Sequence, residues 1–141
     1  MSMEQMFSVA GSALSAQLTR LNATASNIAN SSNVASSAED AYRGKRVVFR
    51  TLVENEMVGT ETKFAGSVTV EGLVDDPSLP MRMYDPENPI ANADGYVFKS
   101  NVDEMEEMIE LTAASRAYQS NIEVLSTAKQ MMMRTLEVMK A

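Results

Sequence analysis

Proline and glycine are confined almost wholly to the middle of this chain. All four prolines and five of the six glycines fall between Gly44 and Ser100. Residues 101–140 hold neither, and residues 1–43 hold only Gly11. Proline removes a backbone donor and clashes with the preceding helical turn, and glycine costs about 1 kcal/mol in a helix interior. Long helices are therefore open to both ends and closed to the middle. The pattern predicts a mainly α fold with a small β insert, its N- and C-terminal helices paired as a coiled-coil-like hairpin. Residues 1–43 form the N-terminal helix and loop, 44–100 the mostly β insert, and 101–141 the long C-terminal helix.

Ser2 and Gln5 fit the spacing of a capping box at the start of the first helix. Phe7, Leu14, Leu21 and Ile28 then recur every seven residues, with Ala10, Gln17 or Leu18, and Thr24 or Ala25 between them. That is a heptad seam, soft because half its positions are small. The same spacing suits a single amphipathic core helix. Between Ser2 and Ala38 only Glu4 and Arg20 are charged. A surface helix carries charges opposite its apolar stripe, whereas this one carries Ser, Ala, Gln, Thr and Asn. Such a helix suits burial among other helices. Asn27 and Asn30 stand where it ends, and Asn tolerates the left-handed backbone found at helix ends.

Residues 30–44 are small and polar and read as a loop. From Lys45 the period changes. Val47–Val53 and Ser67–Val74 are rich in β-branched residues and predict strands, and Met81–Tyr84 and Tyr96–Phe98 predict shorter ones. Asp85-Pro86-Glu87-Asn88-Pro89 and Asn92-Ala93-Asp94-Gly95 are turn chemistry.

The last helix begins at Ser100 or Asn101 as cap. Five acids lie within Asp103–Glu110, and Arg116, Lys129, Arg134 and Lys140 follow, an order that complements the helix dipole. Met108, Leu111, Ser115, Tyr118, Ile122, Leu125, Lys129, Met132, Leu136 and Met139 alternate spacings of three and four. A helix of that length needs a partner along it. The residues expected at assembly interfaces are Phe7, Leu14, Leu21, Ile28, Leu111, Tyr118, Ile122, Leu125, Met132 and Leu136.

Little here points to chemistry. The chain has no His and no Cys, which removes the commonest general base, the thiolate nucleophile, disulfides and thiolate metal sites. No Gly-rich phosphate loop or calcium-loop spacing occurs. Asp75-Asp76 and the acids of Asp103–Glu110 are the only carboxylate clusters, and they read as a solvated loop and a dipole-favoured first turn. Glu87 reads as solvated too. No catalytic residue, cofactor or metal is expected. A net charge of −7 without a basic cluster gives no footprint for nucleic acid. No apolar run spans a membrane, and no basic n-region or apolar h-region marks a secretory signal. Twelve methionines suit either a surface that adapts to several partners or plain core filling.

Several segments carry a further signal. Ala25-Ser26-Asn27-Ile28-Ala29-Asn30 resembles the Asn-x-Ala-Asn signature of the axial proteins of the bacterial flagellum, the rod and hook proteins. Tyr42–Phe49, Tyr84–Pro89 and Asp94–Val97 are similar to the inserts of the basal-body rod members, specifically those of the proximal rod. Glu106–Ile109, Ser115–Asn121 and Thr127–Gln130 carry their C-terminal pattern. The motif positions are Asn27, Ala29, Asn30, Arg116, Tyr118 and Asn121. Ser100 stands where the family commonly has Pro. The resemblance implies a structural subunit, not an enzyme, exported through the flagellar type III apparatus without a cleaved signal. It implies a place in the periplasm-spanning rod beside copies of itself and other rod proteins, with the terminal helices forming the inner tube that transmits torque and encloses the export channel. The rival reading of the residues is a cytoplasmic helical adaptor or export chaperone that binds a partner helix.

Overall fold

The computed structural model describes residues 3–58 and 61–140, with side-chain surroundings for 5–52 and 66–139. The chain runs α1 (Met3–Asn30), β1 (Val34–Ala35), β2 (Lys45–Val58), β3 (Glu61–Asp75), β4 (Met81–Tyr84), β5 (Tyr96–Lys99) and α2 (Glu104–Lys140). The helices hold 28 and 37 residues, roughly 42 and 55 Å at the usual rise. The cap expected at Ser2 lies outside the described residues.

The terminal helices exist and pack on each other, but the fold is not mainly α. It is α+β, with two antiparallel sheets. One is a ribbon in which β2 and β3 pair from Lys45↔Asp75 out to Val58↔Glu61. The expected strands covered only its apolar part. Glu54–Val58 and Glu61–Lys63 lack apolar alternation, yet pairing continues through them because a ribbon satisfies its backbone groups with its own partner strand. The register shifts between Val48 and Phe49, where Val48 faces Gly72 and Phe49 faces Val70, leaving Glu71 as a bulge. The second sheet is ordered β1-β5-β4. Its first strand, only two residues long, was read in the sequence as loop.

The start of α2 also differs from expectation. Asp103, not Ser100 or Asn101, caps it: its Oδ1 accepts from the Met105 amide at 2.9 Å and the Glu106 amide at 3.4 Å. Ser100 instead holds the Val102 amide at 3.2 Å. Among the described residues no non-glycine backbone is left-handed, so Asn27 and Asn30 do not end α1 that way. Asn30 Nδ2 donates back to the Ser26 carbonyl at 2.8 Å, within the helix. Gly95 is left-handed at φ 79°, in a turn whose Asn92 Oδ1 accepts from the Asp94 and Tyr96 amides.

α1 lies between α2 on one side and the ribbon on the other. The Ser12 hydroxyl takes the Val68 amide at 3.2 Å, which fastens the ribbon partway along the helix. The core between these elements is built from small residues. Ala10, Ala16, Ala23, Ala114 and Ala128 are buried, while Val97 and Asn27 are the largest side chains below 2% exposure among the described residues.

Candidate assembly interface

The two helices run antiparallel. Arg20 pairs with Glu110 near the middle of their overlap, and Met6 sits among Val124, Thr127, Ala128 and Met131 further along. On α2 the inward positions are Glu107, Leu111, Ala114, Tyr118, Asn121, Leu125 and Ala128, each buried or half-buried. Leu111, Tyr118 and Leu125 were expected there. The alternate positions are displaced by one residue, so that Glu107, Ala114, Asn121 and Ala128 stand where Met108, Ser115, Ile122 and Lys129 were expected. The physical cause is α1, whose inward face is Ala10, Ala16, Ala23 and Thr24. Small residues bring the backbones close, and large side chains do not fit between them. The signal was present in the sequence as a seven-residue repeat of small or polar residues from Glu107.

Phe7, Leu14, Leu21 and Ile28 are half-buried. Ile122, Met132 and Leu136 are exposed at 44%, 42% and 45%. Of the motif residues, Asn27 is buried, Asn30, Tyr118 and Asn121 are half-buried, and Ala29 and Arg116 are exposed. The surface of α2 thus keeps Met105, Met108, Ile109, Val124, Met131 and Met139 in contact with solvent, all above half exposure. Isolated apolar residues on a surface are ordinary, but contiguous ones mark contact sites.

Two asparagines hold the insert to the helices. Asn27, 1% exposed, donates from Nδ2 to the Lys45 carbonyl at 2.9 Å and accepts the Lys45 amide on Oδ1 at 2.8 Å. A carboxamide offers one acceptor and one donor side by side, as a strand edge does. The side chain therefore acts as a one-residue strand for the start of β2. The Tyr42 hydroxyl donates to the same Oδ1 at 3.0 Å. Asn101 closes the other end: its Oδ1 accepts the Gly44 amide at 2.8 Å and its Nδ2 donates to the Ser78 carbonyl at 2.9 Å. A Cβ at Gly44 would stand 3.3 Å from Val102 Cγ2, which explains a glycine at this crossing.

Asp76 is not a free loop carboxylate. It accepts the Ser78 amide at 2.9 Å and Arg46 Nε at 3.0 Å, and its side chain is 18% exposed. The hydrogen bonds from Ser78, then that from Arg46, lower its pKa from 3.8 to about 2. Arg46 also approaches Glu106 at 3.8 Å, and its own pKa is raised, chiefly by Asp76. Buried Glu107 faces a recess of about 420 Å³ shared with Arg20, Lys45, Arg46 and Glu110. Because the folded pKa of Asp76 lies below the unfolded one, its stabilisation is complete above about pH 4 and fades as pH falls toward 2. Asp76→Asn is accordingly expected to lower the urea midpoint at pH 6, with the gap to the parent chain closing near pH 2. An unchanged midpoint at pH 6 would count against this role. Asp75 is 65% exposed, and Asp75→Asn is expected to leave the midpoint unmoved.

Among the described residues no group of His, Cys, Asp and Glu is arranged to hold a metal, and no helix is long and apolar enough to cross a membrane. The described surface of α2 does carry exposed large apolar side chains, Met105, Met108 and Ile109 among them.

Comparison with known proteins agrees. Residues 7–35 match the family model described as flagella basal body rod protein, and residues 93–138 match that of the flagellar basal body rod FlgEFG protein C-terminal. The chain is 46% identical to the flagellar basal-body rod protein FlgC of Yersinia enterocolitica, over 96% of this chain and 97% of that one. It is 43% identical to the Salmonella typhimurium FlgC over the same shares, and 34% identical to that of Bacillus subtilis over 94% and 95%. With helices packed through alanines, an insert fastened by the motif asparagine and full-length relatives of one name, this chain belongs to the flagellar basal-body rod protein family, FlgC type, and is a structural protein of the flagellar basal body, not an enzyme.

Proposed function

We propose that the chain is a subunit of the proximal rod. Its terminal helices pack against copies of itself and other rod proteins to form a tubular shaft across the periplasm, which transmits torque and encloses the export channel. The observation that carries this reading is the division of labour on α2. Its inward face is Glu107, Leu111, Ala114, Tyr118, Asn121, Leu125 and Ala128, while Met105, Met108, Ile109, Met131 and Met132 remain exposed. A helix that keeps a second set of large apolar side chains outside the seam of its own chain is built to be covered by neighbours. Repeated contacts between unlike patches generate tubes and filaments. Delivery by the flagellar type III export apparatus fits a subunit that reaches its place through the growing tube.

A density map of isolated basal bodies tests the placement. The expected result traces this chain in the segment of the shaft nearest the motor, both helices lining the lumen. Finding it elsewhere in the basal body, or with its helices outermost, would overturn the reading. A second expectation concerns the free chain. Among the described residues the fully buried apolar side chains of α1 and α2 are alanines, and the larger ones along α1 are at most half-buried, so local opening of α1 should cost little. Amide exchange across Phe7–Ile28 should be fast in dilute chain and slow in isolated basal bodies; equally slow exchange in both would contradict it.

A further inference from the structure

We propose that the recess between α1, α2 and the root of the ribbon is a binding site for a primary ammonium group carried on an alkyl chain. The site lies within one chain and does not depend on the rod reading. Two polar side chains of its lining are buried and unpaired. Thr24 is 5% exposed and Glu107 7%, and both line the recess of about 420 Å³. Elsewhere in the helices a threonine hydroxyl turns back to the carbonyl four residues earlier, as at Thr19, Thr112 and Thr135. Among the described residues the Thr24 hydroxyl and the Glu107 carboxylate make no hydrogen bond, and Glu107 makes no ion pair. Burying such groups without partners costs free energy. Their oxygens are nonetheless not sealed in the core. Among the described residues Gln17 Oε1 is the one side-chain atom both closed to solvent and unpaired. Thr24 on α1 and Glu107 on α2 therefore present their oxygens to the recess from opposite walls.

The ion pairs around the recess select the sign of the ligand. Arg20 pairs with Glu110, and Lys45 approaches Asp75 at 3.9 Å. Arg46 donates to Asp76 at 3.0 Å and approaches Glu106 at 3.8 Å. Every cation of the lining thus has a carboxylate, and Glu107 is the carboxylate left over. Arg46 senses the charge of Glu107 only through space. An anion would have to break one of these pairs, whereas a cation meets Glu107 with nothing displaced. A divalent metal asks for several converging oxygen ligands, and no such cluster of acids stands among the described residues. Ala23, Val47 and Phe49 complete the wall. They offer apolar surface that a chain of methylenes covers and an inorganic cation does not. An ammonium head has three donors and no acceptor, which matches two facing acceptors, a carboxylate and a hydroxyl. A free aliphatic amine and a lysine side chain present this same group.

Titration of the isotope-labelled full chain with butylammonium chloride, followed by amide NMR signals, tests the site. The expected result is a saturable shift at Thr24 and Glu107, with a dissociation constant of about a millimolar. Nα-acetyl-lysine amide, titrated in parallel, separates the two sources. The same shifts admit a protein lysine, and their absence restricts the site to free amines; either result keeps the site if butylammonium binds. Glu107→Gln keeps the shape and removes the charge, and should weaken binding about tenfold, the weight of one charge-assisted hydrogen bond. Thr24→Val should weaken it about threefold, as loss of a neutral one does. Urea midpoints show whether each variant is folded, and if one is not, the other carries the test. Equal shifts from sodium chloride at the same ionic strength, comparable shifts from sodium butyrate, shifts that never saturate, or binding indifferent to a folded Glu107→Gln or Thr24→Val chain would each overturn the proposal.

Discussion

Asn27→Ala is expected to be among the most damaging single changes in the chain, at about 2–4 kcal/mol of stability. The side chain is 1% exposed and serves three partners: the Lys45 amide, the Lys45 carbonyl and the Tyr42 hydroxyl. Truncation leaves all three facing a small void, and unmet buried polar groups cost more than a hydrogen bond contributes. It also frees the start of β2 from α1, so the ribbon loses its direction as well as its stability. Asn27→Asp keeps the acceptor for two of the partners, loses the donor and places a charge in a buried site, so it should be no milder at neutral pH. Urea unfolding gives the stability, and the chain's presence in isolated basal bodies gives the assembly. An Asn27→Ala chain within about 0.5 kcal/mol of the parent would remove the role assigned here.

The second large effect separates folding from assembly. Ala114 is fully buried between the helices. Ala114→Leu adds three carbons to a seam set by alanines and should cost about 1–3 kcal/mol by forcing the helices apart. Met108→Ala alters a side chain that is 54% exposed, so the free chain should change by no more than about 0.5 kcal/mol. In cells the order should invert in kind: Ala114→Leu reduces the amount of folded subunit, whereas Met108→Ala leaves the amount intact and reduces incorporation. Thermal unfolding with quantification of soluble and basal-body-bound chain checks both. A Met108→Ala chain that unfolds early yet assembles normally would reverse the assignment of inner and outer faces.

What the sequence disclosed and what it hid have physical causes. The helices were legible because glycine and proline are absent over long spans and because acids precede bases along α2. The two ribbon strands were legible in their β-branched runs, and the two short strands flank the turn segments at Asp85–Pro89 and Asn92–Gly95. The ribbon's full length was not legible, since the pairing of Glu54–Val58 with Glu61–Ala65 rests on backbone bonds that leave no hydrophobic pattern. The class was misread for that reason, as α with a minor insert. On α2 the alternate seam positions differ from expectation by one residue, because Glu107, Ala114, Asn121 and Ala128 face α1 together with the expected Leu111, Tyr118 and Leu125. The closest contacts are made by alanines, which leave no large apolar residue to mark them. Asn27 was singled out by its motif, but its work is done by a carboxamide imitating a peptide group, a geometry with no signature in one dimension. Asp103 was visible as an acid of the first turn, and a cap three residues before Glu106 could have been read from spacing alone.

Among the described residues the ribbon is fastened near its root and along α1. Asn27 grips the beginning of β2, Asn101 grips Gly44 and Ser78, and the Ser12 hydroxyl meets Val68. Beyond Leu52 and Ser67 the two strands go on pairing with each other as far as Val58↔Glu61. The reach of this arm is thus a dimension that can change without redrawing the helices. Adding two residues to each strand would lengthen it by about 7 Å and keep every side chain on its own face. Adding one residue to a single strand would turn that strand over from there on, unless a second bulge like the one at Glu71 absorbed it. Related shafts of different girth could differ in this arm while sharing one helical lining, much as rungs of different width can be hung on one rail.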